Sequence, residues 1–250
     1  NKYKKLKLLK LNIKQESFLK LLNDFRNVKE FEYQNVKFND IGETEKLNCP
    51  QKKKVERITV TDCPQINIVF ENSTKFYNNL VHLYLDNVTT NTNLIFHSLP
   101  LKTLVLKSLP TTRIINIKNL KLKYLTMHLI QETNLSCEKI TVDTFSLTLD
   151  DITYDKLHSY YKKFEVNSVR IKDPQTLDLY LTNKIETSTP INDITYTDEV
   201  PQDKYSIFLE CLKGKNKIWG KNTDFTLNLD WNTELTKIIQ KDYQKYLKRF

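Results

Sequence analysis

The chain has 250 residues, and its 39 lysines and arginines exceed its 30 acidic residues to give a formal net charge of +9. That length can bury a sizeable core and allows one or two domains. Only three glycines occur, which argues against an enzyme site built on glycine-rich loops, because such loops need glycine for their tight turns. No apolar run approaches the roughly 18 residues of a membrane span, and no signal peptide is visible in a chain that opens at Asn1 and so leaves room for a segment upstream.

In chain order, one phrase recurs: an apolar anchor, two free positions, a second anchor, one free position, a third anchor, two free positions and a fourth. Tyr3, Leu6, Leu8 and Leu11 open it. Glu16–Phe25 then reads as a helix, with Phe18, Leu21, Leu22 and Phe25 at helical spacing. Val28, Phe31, Tyr33 and Val36 make the second copy, and Val55, Ile58, Val60 and Cys63 the third. The clearest copies are Leu80, Leu83, Leu85, Val88 and, 21 residues on, Leu101, Leu104, Leu106, Leu109. Between them Leu94, Phe96 and Leu99 match Ile115, Ile117 and Leu120, again 21 residues apart, which suggests an extended rather than helical return. Leu122, Leu125, Met127 and Ile130 follow, then Cys137, Ile140, Val142 and Phe145 after a step of only 15, too short for a full unit unless Cys137 is a false start or the unit is truncated. Thr153–Phe164 reads as a second return helix. Val166, Val169 and Ile171 are followed by Pro174 in the fourth place, and Ile191, Ile194 and Tyr196 by Glu199.

Anchors two apart share one side of an extended strand. One such strand cannot hide its apolar side alone, but copies stacked in parallel share a continuous core. The pattern resembles the leucine-rich repeat family over roughly residues 3 to 200, in an irregular form like that of F-box-type adaptors or of protist and bacterial surface repeat proteins. It departs from the family at the fourth anchor, where an asparagine that satisfies turn backbone groups is replaced by Val, Cys, Leu or Phe; Asn35 and Asn87 stand one place earlier. No F-box helix pattern precedes the repeats. The resemblance implies an α/β leucine-rich-repeat solenoid with a parallel concave β-sheet and mixed helical and extended returns over 1–200. Residues 201–250 read as a capping segment: a short helix at Tyr205–Leu212, a turn-rich stretch between Gly214 and Gly220, an alternating strand at Phe225, Leu227 and Leu229, and a terminal amphipathic helix capped by Asn232 or Thr233. Lysines on that last helix make a membrane-surface role the alternative to an end cap.

Strand alternation assigns the solvent face of each copy. Lys5 and Lys7, Glu30 and Glu32, Arg57 and Thr59, His82, Tyr84 and Asp86, Thr103, Val105 and Lys107, Tyr124, Thr126 and His128, Lys139, Thr141 and Asp143, Arg170 and Lys172, and Asp193 and Thr195 point outward. The signs are mixed, which favours a protein partner over nucleic acid, and the lysines elsewhere are scattered. Tyr84, Tyr124, Arg57 and Arg170 are the residue types that most often anchor interfaces, and His82, Asp86 and His128 share their face. These seven are the candidate binding residues. The expected function is a non-catalytic protein-protein interaction module, a scaffold or adaptor. The alternatives are a basic protein bound to RNA or the ribosome and, behind it, an enzyme using His82 with Asp86. No catalytic residue, metal site, cofactor or small-molecule substrate is expected. Cys49, Cys63, Cys137 and Cys211 lack the spacing of a zinc site, and Cys63 and Cys137 fall on anchors, so a reducing, intracellular setting, cytoplasmic or nuclear, is expected. Asn72, Asn87 and Asn134 match glycosylation acceptors, discounted in a chain this rich in asparagine.

Overall fold

Residues with period-two burial and a fixed spacing form short strands, and the chain lays them side by side. The computed structural model describes residues 3–25, 27–39, 54–64, 78–89, 94–109, 114–129, 134–149, 164–171, 174–182, 191–196, 199–210, 219–227, 233–239 and 241. They fall into two units, 1–122 with 128–140, and 123–127 with 141–250. Each is mostly parallel β-sheet arranged as a β-solenoid, with few helices.

In the first unit lie β1 (Lys5–Leu9), β2 (Asn12–Lys14), α1 (Gln15–Asp24), β3 (Glu30–Gln34), β4 (Lys37–Asn39), β5 (Arg57–Thr61), β6 (His82–Asp86), β7 (Leu94–His97) and β8 (Thr103–Lys107). The long strands β9 (Ile114–Leu129) and β10 (Asn134–Leu149) contribute to both units. β1, β3, β5, β6 and β8 pair in parallel in that order, so that Lys5, Glu30, Arg57, His82 and Thr103 stand in one row. The segments 80–88 and 101–109 therefore run alongside each other in the same sense, in the register of their sequence alignment. The reason is burial. Second and third anchors Phe31 and Tyr33, Ile58 and Val60, Leu83 and Leu85, and Leu104 and Leu106 are all buried, as are the fourth anchors Val36, Cys63, Val88 and Leu109. A slip of one residue would turn every one of them outward.

The opening copy departs from expectation. Leu8 is buried, but Tyr3 is 67% and Leu11 40% exposed. Among the described residues β3 is the single strand neighbour of β1, so its outer anchors have a core on one side only.

Two kinds of corner recur. Lys10, Asn35, Asp62, Asn87 and Ser108, each directly after a repeat strand, take positive φ near 50°. The N–H groups of the first four donate to the carbonyls of Gln34, Thr61, Asp86 and Lys107 at the end of the next strand. Ser98, Asn119 and Lys139 take the same conformation three residues before an apolar anchor, namely Leu101, Leu122 and Val142. That places the unit after Leu122 at Val142, with Phe145 second, and not at Cys137. The steps from Leu122 to Val142 to Val166 are then 20 and 24, and the anomalous 15 disappears. Ile140, Val142 and Phe145 are buried while Cys137 is only half-buried. Lys139 accordingly marks a corner rather than an outward strand position.

Helix α1 buries Phe18 edge-on against Tyr33, with ring centres 5.6 Å apart. β2 pairs with β4 after the corner, and β7 pairs with β9 through Leu94↔Ile115 and Phe96↔Ile117. The extended segment expected between the clear copies is thus present. The helix expected at Thr153–Phe164 lies outside the described residues except for Phe164, which opens β11 (Phe164–Ile171) and packs on Phe145.

In the second unit β11, β12 (Ile191–Tyr196) and β13 (Trp219–Leu227) pair in parallel, with Val169, Ile194 and Phe225 in one row. Pro174 does not act as a fourth anchor. It begins helix α2 (Pro174–Leu181), where its fixed φ and missing donor suit the first turn. Val200, fully buried, takes the apolar place that Glu199 leaves open. Helix α3 (Tyr205–Glu210) buries Phe208 and Leu209, and α4 (Thr233–Ile238) with Ile239 buries Leu235 and Ile239. Residues 211–218 and 242–250, with the rest of the expected terminal helix, lie outside the described residues. No described helix is long and apolar enough to cross a membrane.

Leu85→Ala removes a fully buried anchor and is expected to cost about 3 kcal/mol. Asn87→Val puts a β-branched residue in the left-handed corner and should cost about 2 kcal/mol, whereas Asn87→Gly should cost much less. Urea denaturation of the three variants measures this; equal loss for Val and Gly would mean that the corner conformation is not what Asn87 supplies.

Candidate functional site

The in-register strands place outward side chains in rows across the first unit. One row is Lys5, Glu30, Arg57, His82 and Thr103; the next is Lys7, Glu32, Thr59, Tyr84 and Val105, of which Val105, expected at the solvent face, is buried; the third ends in Asp86 and Lys107. Between β5, β6 and β8 lies a shallow depression of about 170 Å³ lined by Arg57, Thr59, His82, Tyr84 and Thr103, with Ile58 and Leu83 at its base. The side chains of Ile58 and Leu83 are buried on the core side, so the strand backbone there forms the floor.

Hydrogen bonds fix most of the wall. His82 Nδ1 lies 3.1 Å from Thr103 Oγ1. The Tyr84 hydroxyl donates to Asp86 Oδ2 at 3.0 Å and accepts from Lys107 Nζ at 3.4 Å, and the same ammonium sits 5.5 Å from the Tyr84 ring centre. The His82–Asp86 pair that an enzyme would need is therefore not formed: each group is bonded elsewhere. To one side, Glu32 takes ion pairs from both Lys5 and Lys7, which hold its carboxyl below the usual range. Burial, and then the charge of Arg57, push the His82 imidazole below its ordinary value, so the neutral ring is favoured.

Of the seven candidate residues, Arg57, His82, Tyr84 and Asp86 are brought together. His128 stands half-buried on β9, outside the lining of this depression. Tyr124 and Arg170 belong to the second unit, Tyr124 being 44% exposed with Lys123 Nζ 5.3 Å from its ring centre, and Arg170 exposed on β11. Thr59, Thr103 and Lys107, named in the sequence only as outward positions, complete the site. Their signal was the alignment itself, since residues at the same place in successive copies become neighbours. Among the described residues no three His, Cys, Asp or Glu side chains gather as a metal site would require. Comparison of the chain with protein-family models, with curated proteins and with solved structures gives no match.

The His82 shift fixes a sign. A folded-state value below the unfolded value of about 6.5 means that the unfolded chain binds the proton more readily, so His82 subtracts stability as pH falls through that value and stops doing so below its folded value. Glu32 acts lower: its contribution is present above about pH 4.3 and is lost as pH falls through its depressed value. His82→Gln should therefore narrow the loss of stability between about pH 7.5 and 5.5. Urea midpoints of both proteins across that range test it, and a difference that does not change with pH would remove His82 from the account.

Proposed function

We propose that the chain is an irregular leucine-rich-repeat solenoid with helical and extended returns, and that it is a non-catalytic protein-interaction module. The partner docks on the outer sheet face of the first unit, over Arg57, His82 and Tyr84. The observation that carries this is the composition of the rows: aromatic, imidazole, hydroxyl and charges of both signs held rigidly on a strand platform. Such mixed surfaces suit a protein partner, whereas a phosphate backbone calls for a face of one sign. Tyr84 is the anchor, because its ring is held between Lys107 and Asp86 and loses little freedom on binding. The repeat assignment draws support from Cys63. At its fourth-anchor position its sulfur accepts from Val36 N–H at 3.4 Å and donates to Thr61 O at 3.2 Å, the service that the family's asparagine performs. Burial pushes that thiol up, so the S–H is kept for donation, as suits a reducing intracellular compartment.

Tyr84→Ala should leave the fold intact by circular dichroism and weaken partner binding by about tenfold or more. Affinity purification from the native source with wild-type and variant baits reads this. Proteins retained by the wild type and lost by the variant are expected. A retained set that is unchanged, or that consists of RNA and its bound proteins released by moderate salt, would favour a basic nucleic-acid-associated role.

A further inference from the structure

Among the described residues of these rows one cation is left over. Lys5 and Lys7 are committed to Glu32, and Lys107 to the Tyr84 hydroxyl. The Arg57 guanidinium, exposed at the rim of the depression, makes no hydrogen bond or ion pair among the described residues. Glu30 is its row neighbour on β3, and no ion pair joins the two. On its other side stands His82, whose Nδ1 is engaged by Thr103. When the Thr103 hydroxyl donates to Nδ1, the ring proton sits on Nε2, a second donor on a ring that lines the same depression as Arg57. The Thr59 hydroxyl adds a third. A guanidinium is planar and offers paired donors, the geometry a carboxylate takes best.

Deepening the interaction reading above, and resting on it, we propose that this depression receives the carboxylate of an aspartate or glutamate side chain of a protein partner. Arg57 is the principal donor, with His82 and Thr59 completing the shell. Three features argue for a single carboxylate rather than a run of phosphates. The depression of about 170 Å³ has room for one small group. Glu30 stands beside Arg57 in the same row and repels an extended polyanion. The neutral imidazole favoured for His82 supplies a dipole rather than a second full charge. Glu30 is the group that opposes the guest, so its charge sets how tightly the site holds an acid.

The experiment uses the whole 250-residue chain and a displayed library of random dodecapeptides, followed by affinity measurement with synthetic copies of the selected peptides. The expected result is a recurrent aspartate or glutamate in the selected peptides. Changing that acid to its amide, or changing Arg57→Gln in the protein, should each weaken binding about tenfold or more, and the two losses should not add. Glu30→Gln should strengthen binding several-fold, an effect that damage to the fold cannot imitate. Peptides that lose affinity with Tyr84→Ala but carry no acidic preference, or that ignore Arg57→Gln, overturn this proposal and leave the interaction face standing. If no selected peptide is sensitive to Tyr84→Ala, the face is not a peptide-docking surface and both readings fall.

Discussion

Everything on the outer face of the first unit depends on main-chain bonds made at the two ends of its strands. At the far end, a residue in left-handed conformation turns its N–H to the last carbonyl of the next strand, from Lys10 to Gln34, Asn35 to Thr61, Asp62 to Asp86 and Asn87 to Lys107. At the near end, one carbonyl takes two donors: Lys29 O from Glu56 and Arg57, Glu56 O from Val81 and His82, Val81 O from Lys102 and Thr103. Bonds at both ends leave a strand of five residues no freedom to slide. Zero slip aligns equal positions of unequal repeats, and so Arg57, His82 and Thr103 become neighbours although the steps between them are 25 and 21. The site is a consequence of backbone accounting before it is a matter of side-chain chemistry.

The corners carry a conformational cost that glycine usually removes, and this chain has only three glycines. Short polar residues take the place, because Asn and Asp tolerate positive φ better than other side-chain-bearing residues. Asn35, Asp62, Asn87 and Asn119 occupy corners, and Asn87 Nδ2 donates to Asp62 Oδ1 at 2.6 Å across adjacent strands. Asparagine abundance in the sequence therefore has a structural use beyond compositional bias. The polar residue sits in the corner itself, one place before the fourth anchor, and leaves that anchor position free for Val36, Val88 or Leu109 to bury.

How much could be read in advance follows from the same geometry. The anchor spacing gave strands, parallel order and register together, because all three are properties of one repeated phrase. The strands at Leu94/Phe96 and Ile115/Ile117 were legible because period-two alternation survives there. The phase failed at Cys137, where return and repeat strands merge in β10 and both are apolar at alternate positions. Cys137, Ile140, Val142 and Phe145 satisfy the spacing across a corner it does not describe. The corner residue is Lys139, which carries no turn signature, unlike Asn119 one unit earlier. The lining of the depression was only partly legible. Position-by-position alignment set Arg57 beside His82, but the choice of partner was not written in the spacing. Asp86 faces the same side as His82, yet the hydroxyl of Tyr84, between them in sequence and on the same face, donates to it, while His82 Nδ1 pairs with Thr103.

That choice shows how a face of mixed charge can still be selective. Exposed ion pairs contribute little to stability, about 0 to 1 kcal/mol each, so Lys5, Lys7 and Glu32 do not explain why the unit folds. What they determine is which charges are spoken for. Two lysines on one carboxylate leave one net positive charge in place of three separate groups, and the Tyr84 hydroxyl bridges Lys107 and Asp86. The remainder is Arg57 and Glu30, adjacent in one row and not joined. Two opposite charges left apart on a rigid sheet make a dipole along the row, with a fixed direction and a fixed place. On the proposed reading, a partner's acid would be drawn to Arg57 and turned away by Glu30 and so be held in one orientation, whereas a uniform cationic surface would take any anion in many. On that reading, selectivity would come from the charges the fold has already paired, because in these rows they leave Arg57 and Glu30 for a partner to meet.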